Sequence, residues 1–149
     1  MKKKLIILGK GPVVGKDCVD ARADWPGFEV WTVGTHRIEN AGRYYEFHGL
    51  EFRGHKMVRE VCPEVDRMSD ELPINNSISA MLLEAYFEGY TDITLAGCPM
   101  SIQAEYIEQK PALAMCVGWL RAKGIRVAWL DEMPHGLYYK EHRNGQGRN

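Results

Sequence analysis

The residues best equipped for chemistry stand near the start of the chain, in Gly9-Lys-Gly-Pro-Val-Val-Gly-Lys16. Gly9 and Gly11 carry no side chains, so backbone N–H groups can approach an anion closely there. Lys10 and Lys16 add positive charge, and Pro12 lies in the same turn. Phosphate is the chemistry this combination suits. A second group is Asn75-Asn-Ser77. Each of these residues can cap a helix, and a helix start offers unpaired N–H groups and a partial positive charge. Asparagine also both donates and accepts, which suits the edge of a base or sugar. His36 and His48 form a third group, able to bind phosphate or to act as acid or base near neutral pH. Glu105 and Gln109 stand four apart and share one face if helical. The plainer readings are solvated lysines, ordinary helix caps and loop histidines.

These residues need elements to position them, and the chain alternates strand and helix signals. Leu5–Leu8 is a short apolar run of the kind buried on both faces of a parallel sheet. Asp17–Ala23 reads as a short helix. Phe28–Val33 is a second strand, ending in Gly34-Thr35-His36, and Tyr44–His48 a third. Residues Gly49 to Asn76 are irregular, with a short helix near Lys56–Val61. Ser77 to Gly89 is a helix, with Ile78, Met81, Leu82, Ala85 and Tyr86 on one face. Asp92–Ala96 is the fourth strand, closed by Gly97. A second long helix starts near Pro111, a residue suited to a first helical position, and Ile125–Leu130 is the fifth strand.

This alternation predicts an α/β fold: a single Rossmann-like domain over residues 1–139, with a polar tail at 140–149. Its sheet is mostly parallel and five-stranded, in the order 3-2-1-4-5, flanked by helices. The topological switch then lies between the first and fourth strands, where ligands bind beyond the carboxyl ends. Gly9–Lys16, Asn75–Ser77 and Gly97, Pro99 and Met100 surround that one crevice.

The opening excludes two familiar phosphate loops. A dinucleotide fingerprint needs G-x-G-x-x-G, whereas Gly9 to Gly15 has one residue too many and contains Pro12. The second strand also lacks the acidic residue that holds a ribose. A Walker loop needs G-x-x-x-x-G-K-[ST]; Lys10 replaces its first glycine and Asp17 its hydroxyl.

Composition narrows the classes further. The net charge of −1 over 149 residues argues against nucleic acid as a partner. Behind Met1-Lys-Lys-Lys4 the apolar stretch ends at Gly9, too short for a signal peptide or a membrane span, so a cytoplasmic location is expected. The four cysteines have no metal-ligand spacing, and they read as reduced thiols that pack as small apolar groups. No metal site is expected. Surface tryptophans make a homo-oligomer plausible.

Three segments in order resemble a family. Gly9-Lys-Gly-Pro12 after a first strand is similar to the G-x-G-P-S opening of a Rossmann-like group. That group includes archaeal-type hydroxymethylpterin pyrophosphokinases, bacterial sialyltransferases and many small phage proteins. Asn76-Ser-Ile-Ser-Ala-Met-Leu82, followed by Glu88-Gly-Tyr-Thr-Asp-Ile-Thr-Leu-Ala-Gly97, resembles its second signature. Pro99-Met100, Glu105-Tyr106, Gln109-Lys-Pro111 and Tyr45-Glu-Phe-His48 look most like the phage members. Val13 departs from the pattern, since serine usually follows Gly-Pro.

The resemblance implies a small nucleotide-binding protein, phage-encoded and at work in the host cytoplasm. It would hold, and in that setting sequester, a phosphate-containing nucleotide or nucleotide-derived signal without turnover. The missing serine and the lack of an evident nucleophile–base pair favour holding. The alternative is a nucleotide-dependent transferase of glycosyltransferase or pyrophosphokinase type. In that case His48 or His36 is the candidate base, and magnesium or the lysines stabilise the leaving phosphate.

Overall fold

A computed structural model of the protein describes residues 3–9, 20–33, 38–48, 56–98 and 105–130, with the backbone alone for 105–108. The elements are β1 (Lys4–Leu8), α1 (Ala21–Asp24), β2 (Glu29–Val33), β3 (Arg43–Tyr45), β4 (Met57–Val58), α2 (Pro63–Arg67), α3 (Ser77–Phe87), β5 (Asp92–Ala96), α4 (Glu105–Ala122) and β6 (Arg126–Trp129). The strands form one sheet in the order β4-β3-β2-β1-β5-β6, every pair parallel. The fold is α/β and Rossmann-like. The expected order 3-2-1-4-5 is kept, with a sixth, two-residue strand added outside β3.

Alternation along β1 sends its side chains to two cores. Leu5 and Ile7 join Trp31, Leu82, Ile93 and Leu113 under α3 and α4. Ile6 and Leu8 face the other way, toward Ala21, Trp25, Val30 and Ile38. Each of these β1 side chains is buried on one face or the other, so the continuous apolar run is the expected signature of a central parallel strand. The chain leaves β1 toward β2 over the α1 face and leaves β5 toward β6 over the α3/α4 face. Reversing direction while keeping right-handed crossovers requires that change of face.

The helices run back against the strands. Lys3 Nζ donates to the Glu88 carbonyl at the end of α3 (2.9 Å), and the Thr91 amide donates to the Lys3 carbonyl. The C-terminus of α3 thus lies at the amino edge of the sheet. Its eleven residues rise about 16 Å, the length of a five-residue strand, so its first turn reaches the carboxyl edge. At about 27 Å, α4 is longer than β5, and its first turns overhang that edge.

Four local expectations are corrected. The short helix expected at Lys56–Val61 is instead strand β4, and the helix follows at Pro63–Arg67, with Pro63 in its first turn. The third strand stops at Tyr45, because the chain turns at Glu46–His48. The first helix is Ala21–Asp24, and the Asp20 carboxylate accepts from the amides of Arg22 and Ala23. The last helix starts at Glu105 rather than near Pro111, so Pro111 lies inside it. Proline there removes one rung of hydrogen bonding. Burial of Leu113, Cys116, Val117 and Leu120 on the inner face stabilises the helix against that loss.

Candidate functional site at the β1–β5 exits

The two strands either side of the topological switch are adjacent, with Leu8 opposite Ala96. The Gly9 amide donates to the Ala96 carbonyl at 2.8 Å. A Cβ built on Gly9 would collide with the Gly97 carbonyl and with Cys98 Sγ, so close approach of the two exits requires glycine there. Gly97 has φ +65°, a left-handed conformation that glycine adopts without strain. Both residues are buried. The Gly9 N–H is therefore committed within the sheet, and Gly9 serves the crevice by bringing β1 and β5 together.

Asn76 caps α3: its Oδ1 accepts the Ser79 amide at 2.8 Å. Its Nδ2 donates to Asn75 Oδ1 at 3.1 Å, so the two asparagines form one polar unit at the helix start. Asn75 is exposed, and Asn76 and Ser77 are half-buried. At N1, Ser77 leaves the capping to Asn76. Gln109 is half-buried in α4, one turn after Glu105. Asn75 to Ser77 and the first turns of α4 thus reach the carboxyl edge from the same side of the sheet. Lys10, Gly11, Pro12, Lys16, Thr35, His36, Pro99 and Met100 lie outside the described residues.

His48 is exposed at the exit of β3, two strands from β1. Its amide donates to Glu46 Oε1 at 2.7 Å. Glu46 is buried at the same exit, a polar residue that the sequence does not single out. Its position in Tyr45-Glu-Phe-His48 is the only signal, and a carboxylate between two aromatic residues reads as the solvent side of a strand. Thr32 adds a second unanticipated group. It is fully buried at the end of β2, and its hydroxyl has no partner among the described residues.

Beneath this edge a polar network fixes α3 to β3. The Tyr45 hydroxyl donates to Glu84 and accepts from Arg43 Nη1 (3.0 Å). Glu84 also accepts the Cys62 amide at 3.2 Å, and Arg43 pairs with Glu88 at 2.8 Å. Burial pushes the Tyr45 hydroxyl far above the ordinary phenol range, and its bond to Glu84 raises it further. Tyr45 is therefore a neutral donor at any physiological pH and belongs to the scaffold.

An open groove of about 380 Å³ lies elsewhere, on the α1 face at the amino half of β2, lined by residues that include Arg22, Phe28, Glu29 and Asn40. It contains none of the residues singled out from the sequence. Among the described residues, no helix is long and apolar enough to cross a membrane. Comparison with protein-family models, with curated proteins and with solved structures finds no match to the chain.

Proposed function

We propose that the protein binds a nucleotide or nucleotide-derived signal by its phosphate at the carboxyl edge of β1 and β5, and holds it without turnover. The observation that supports this most is the packing of Gly9 against Gly97 at the switch point. It brings two strand exits into backbone contact, beside the small Cys98 side chain, where open parallel sheets bind their ligands. The capped start of α3 and the half-buried Gln109 of α4 add polar groups on one side of that edge. The lysines of the opening supply the charge that a phosphate needs.

Holding is favoured over transfer because Val13 stands where the related turns carry a hydroxyl. A cytoplasmic setting goes with a nucleotide ligand, and the resemblance to small phage proteins extends the role to sequestration of a host signal. Thermal unfolding against a nucleotide panel tests the reading. A ligand at a hundred times its Kd stabilises by about 2.7 kcal/mol, a rise of roughly 8 °C for a domain of this size. Mass spectrometry of the recovered ligand should return it intact. No shift with any nucleotide overturns binding. A cleaved or transferred product overturns holding in favour of the transferase.

A further inference from the structure

Glu29 opens β2 and pairs with Leu5, so the groove on the α1 face lies toward the amino edge of the sheet, opposite the β1 and β5 exits. Its walls are tied to one another. Asn40 Nδ2 donates to Asp20 Oδ2 at 3.0 Å, the Ala21 amide to the Glu39 carbonyl at 2.8 Å and the Gly42 amide to the Val30 carbonyl at 2.8 Å. These bonds join α1, β2 and the segment that leads into β3, so the cavity is formed before any ligand arrives. At about 380 Å³ it suits a small molecule.

Two residues of opposite charge line this groove without a partner. Glu29 is half-buried, and its carboxylate lies where a Cβ on Gly42 would fall, so glycine at 42 is what lets it settle against the groove wall. It takes no hydrogen bond or ion pair among the described residues. Arg22 is exposed on α1, and its guanidinium likewise has no partner among them, which leaves five donors open. The neighbouring carboxylates are committed. Asp20 accepts the Arg22 and Ala23 amides besides Asn40, and Asp24 accepts the Asp20 amide at 3.1 Å. Phe28 adds an apolar wall, with Lys4 Nζ 5.6 Å from its ring centroid. A ligand of one sign would satisfy one of the two free charges and be repelled by the other, whereas a zwitterion satisfies both.

We propose that this groove binds a free α-amino acid with an apolar side chain, its ammonium on Glu29, its carboxylate on Arg22 and its side chain along Phe28. The ammonium only donates and the Glu29 carboxylate only accepts. The ligand carboxylate matches the planar fork of the guanidinium, and hydrogen bonds between ionised groups are roughly twice as strong as neutral ones. Both charges of an α-amino acid sit on one carbon, which leaves the third substituent for the apolar wall. A peptide fails this pattern because its two termini are far apart. A nucleotide fails it because it would set a phosphate against Glu29. The inference is independent of the nucleotide reading, since the groove lies at the other edge of the sheet.

The experiment titrates the isotope-labelled chain with L-leucine and follows the backbone amide signals of Arg22, Ala41 and Gly42 by NMR. Leucinamide, which lacks the negative charge, and N-acetyl-leucine, which lacks the positive one, are titrated beside it. Leucine should saturate these signals at about 1 to 10 mM, and each analogue should bind about 10- to 100-fold more weakly. Glu29→Gln should weaken leucine by a similar factor and leave N-acetyl-leucine unchanged. Arg22→Gln should weaken leucine and leave leucinamide unchanged. Neither side chain is bonded to the scaffold, so both variants keep the fold. Gly42→Ala puts a methyl where the carboxylate rests and should weaken leucine as Glu29→Gln does. No response to leucine overturns the site. Equal affinity for leucine and either analogue overturns the zwitterion. Leucine affinity unchanged in Glu29→Gln or in Arg22→Gln overturns the two-charge reading.

Discussion

Among the described residues, the two faces of the sheet carry unequal cores. Over one face, α3 and α4 enclose a core that runs from Val65 and Leu72 through Met81 to Leu83 and on to Leu120 and Val127. Over the other, the described residues form a small cluster around Trp25, Val30 and Ile38, beside the four-residue helix α1. Helical stability comes chiefly from packing of an apolar face, and a single turn has little to pack. The difference indicates a division of labour. Of the apolar burial among the described residues, the α3/α4 face holds the larger share.

The largest expected effect tests that division directly. Leu82 and Ile38 are both fully buried, one on each face. Leu82→Ala should cost about 4 kcal/mol, because the surrounding helices cannot close the cavity. Ile38→Ala should cost about 2 kcal/mol, since a smaller cluster collapses more easily. Urea unfolding of the two variants measures both values. Equal losses would mean that the faces share the load evenly.

Alkaline pH gives the next effect, and it belongs to the α3/α4 face. Cys116 lies in that core with its Sγ 3.8 Å from the Ser79 carbonyl, and burial pushes its thiol up to about 12. An unfolded thiol titrates near 8.5. Below that pH both states are protonated and the full stability is present. Above it the unfolded chain loses the proton first, so stability falls until the pH reaches the folded value. The slope from this one group is up to about 1.4 kcal/mol per pH unit. Cys116→Ala should run parallel to the wild type below pH 8 and be flatter between pH 9 and 10.5. Parallel curves throughout would show that the thiol is reached by water.

The same contrast explains what was legible in the sequence. Strands β1, β2 and β5 announce themselves as largely apolar runs because burial demands them, and α3 has both a periodic face and an asparagine cap. Their order then brings Gly9 to Gly97 without further information. β4 was invisible because two half-buried residues carry no period. The start of α4 was misjudged because proline suits a first turn, and only the buried face beyond Pro111 reveals that the helix tolerates it inside. Glu46 was missed for a related reason. Alternation marks it as an outward residue, and its environment combines a local turn at His48 with the neighbouring β4, whose Val58 carbonyl accepts its amide from twelve residues away.

The smallest effect separates the scaffold from the site. Asn76→Ala removes the acceptor of the Ser79 amide and should cost about 1 kcal/mol, a fall in Tm of about 3 °C. Asn76→Asp keeps the acceptor and adds a negative charge at a helix N-terminus, which is neutral or slightly stabilising. If the first turn of α3 faces a phosphate, the same charge repels the ligand. The aspartate variant should then melt at or above the wild-type temperature yet bind a nucleotide about tenfold more weakly, and the loss should shrink in high salt. The alanine variant should do the reverse, losing stability first. If Asn76→Asp leaves affinity untouched, α3 contributes only its packed face, and the crevice is built by the β1 and β5 exits without it.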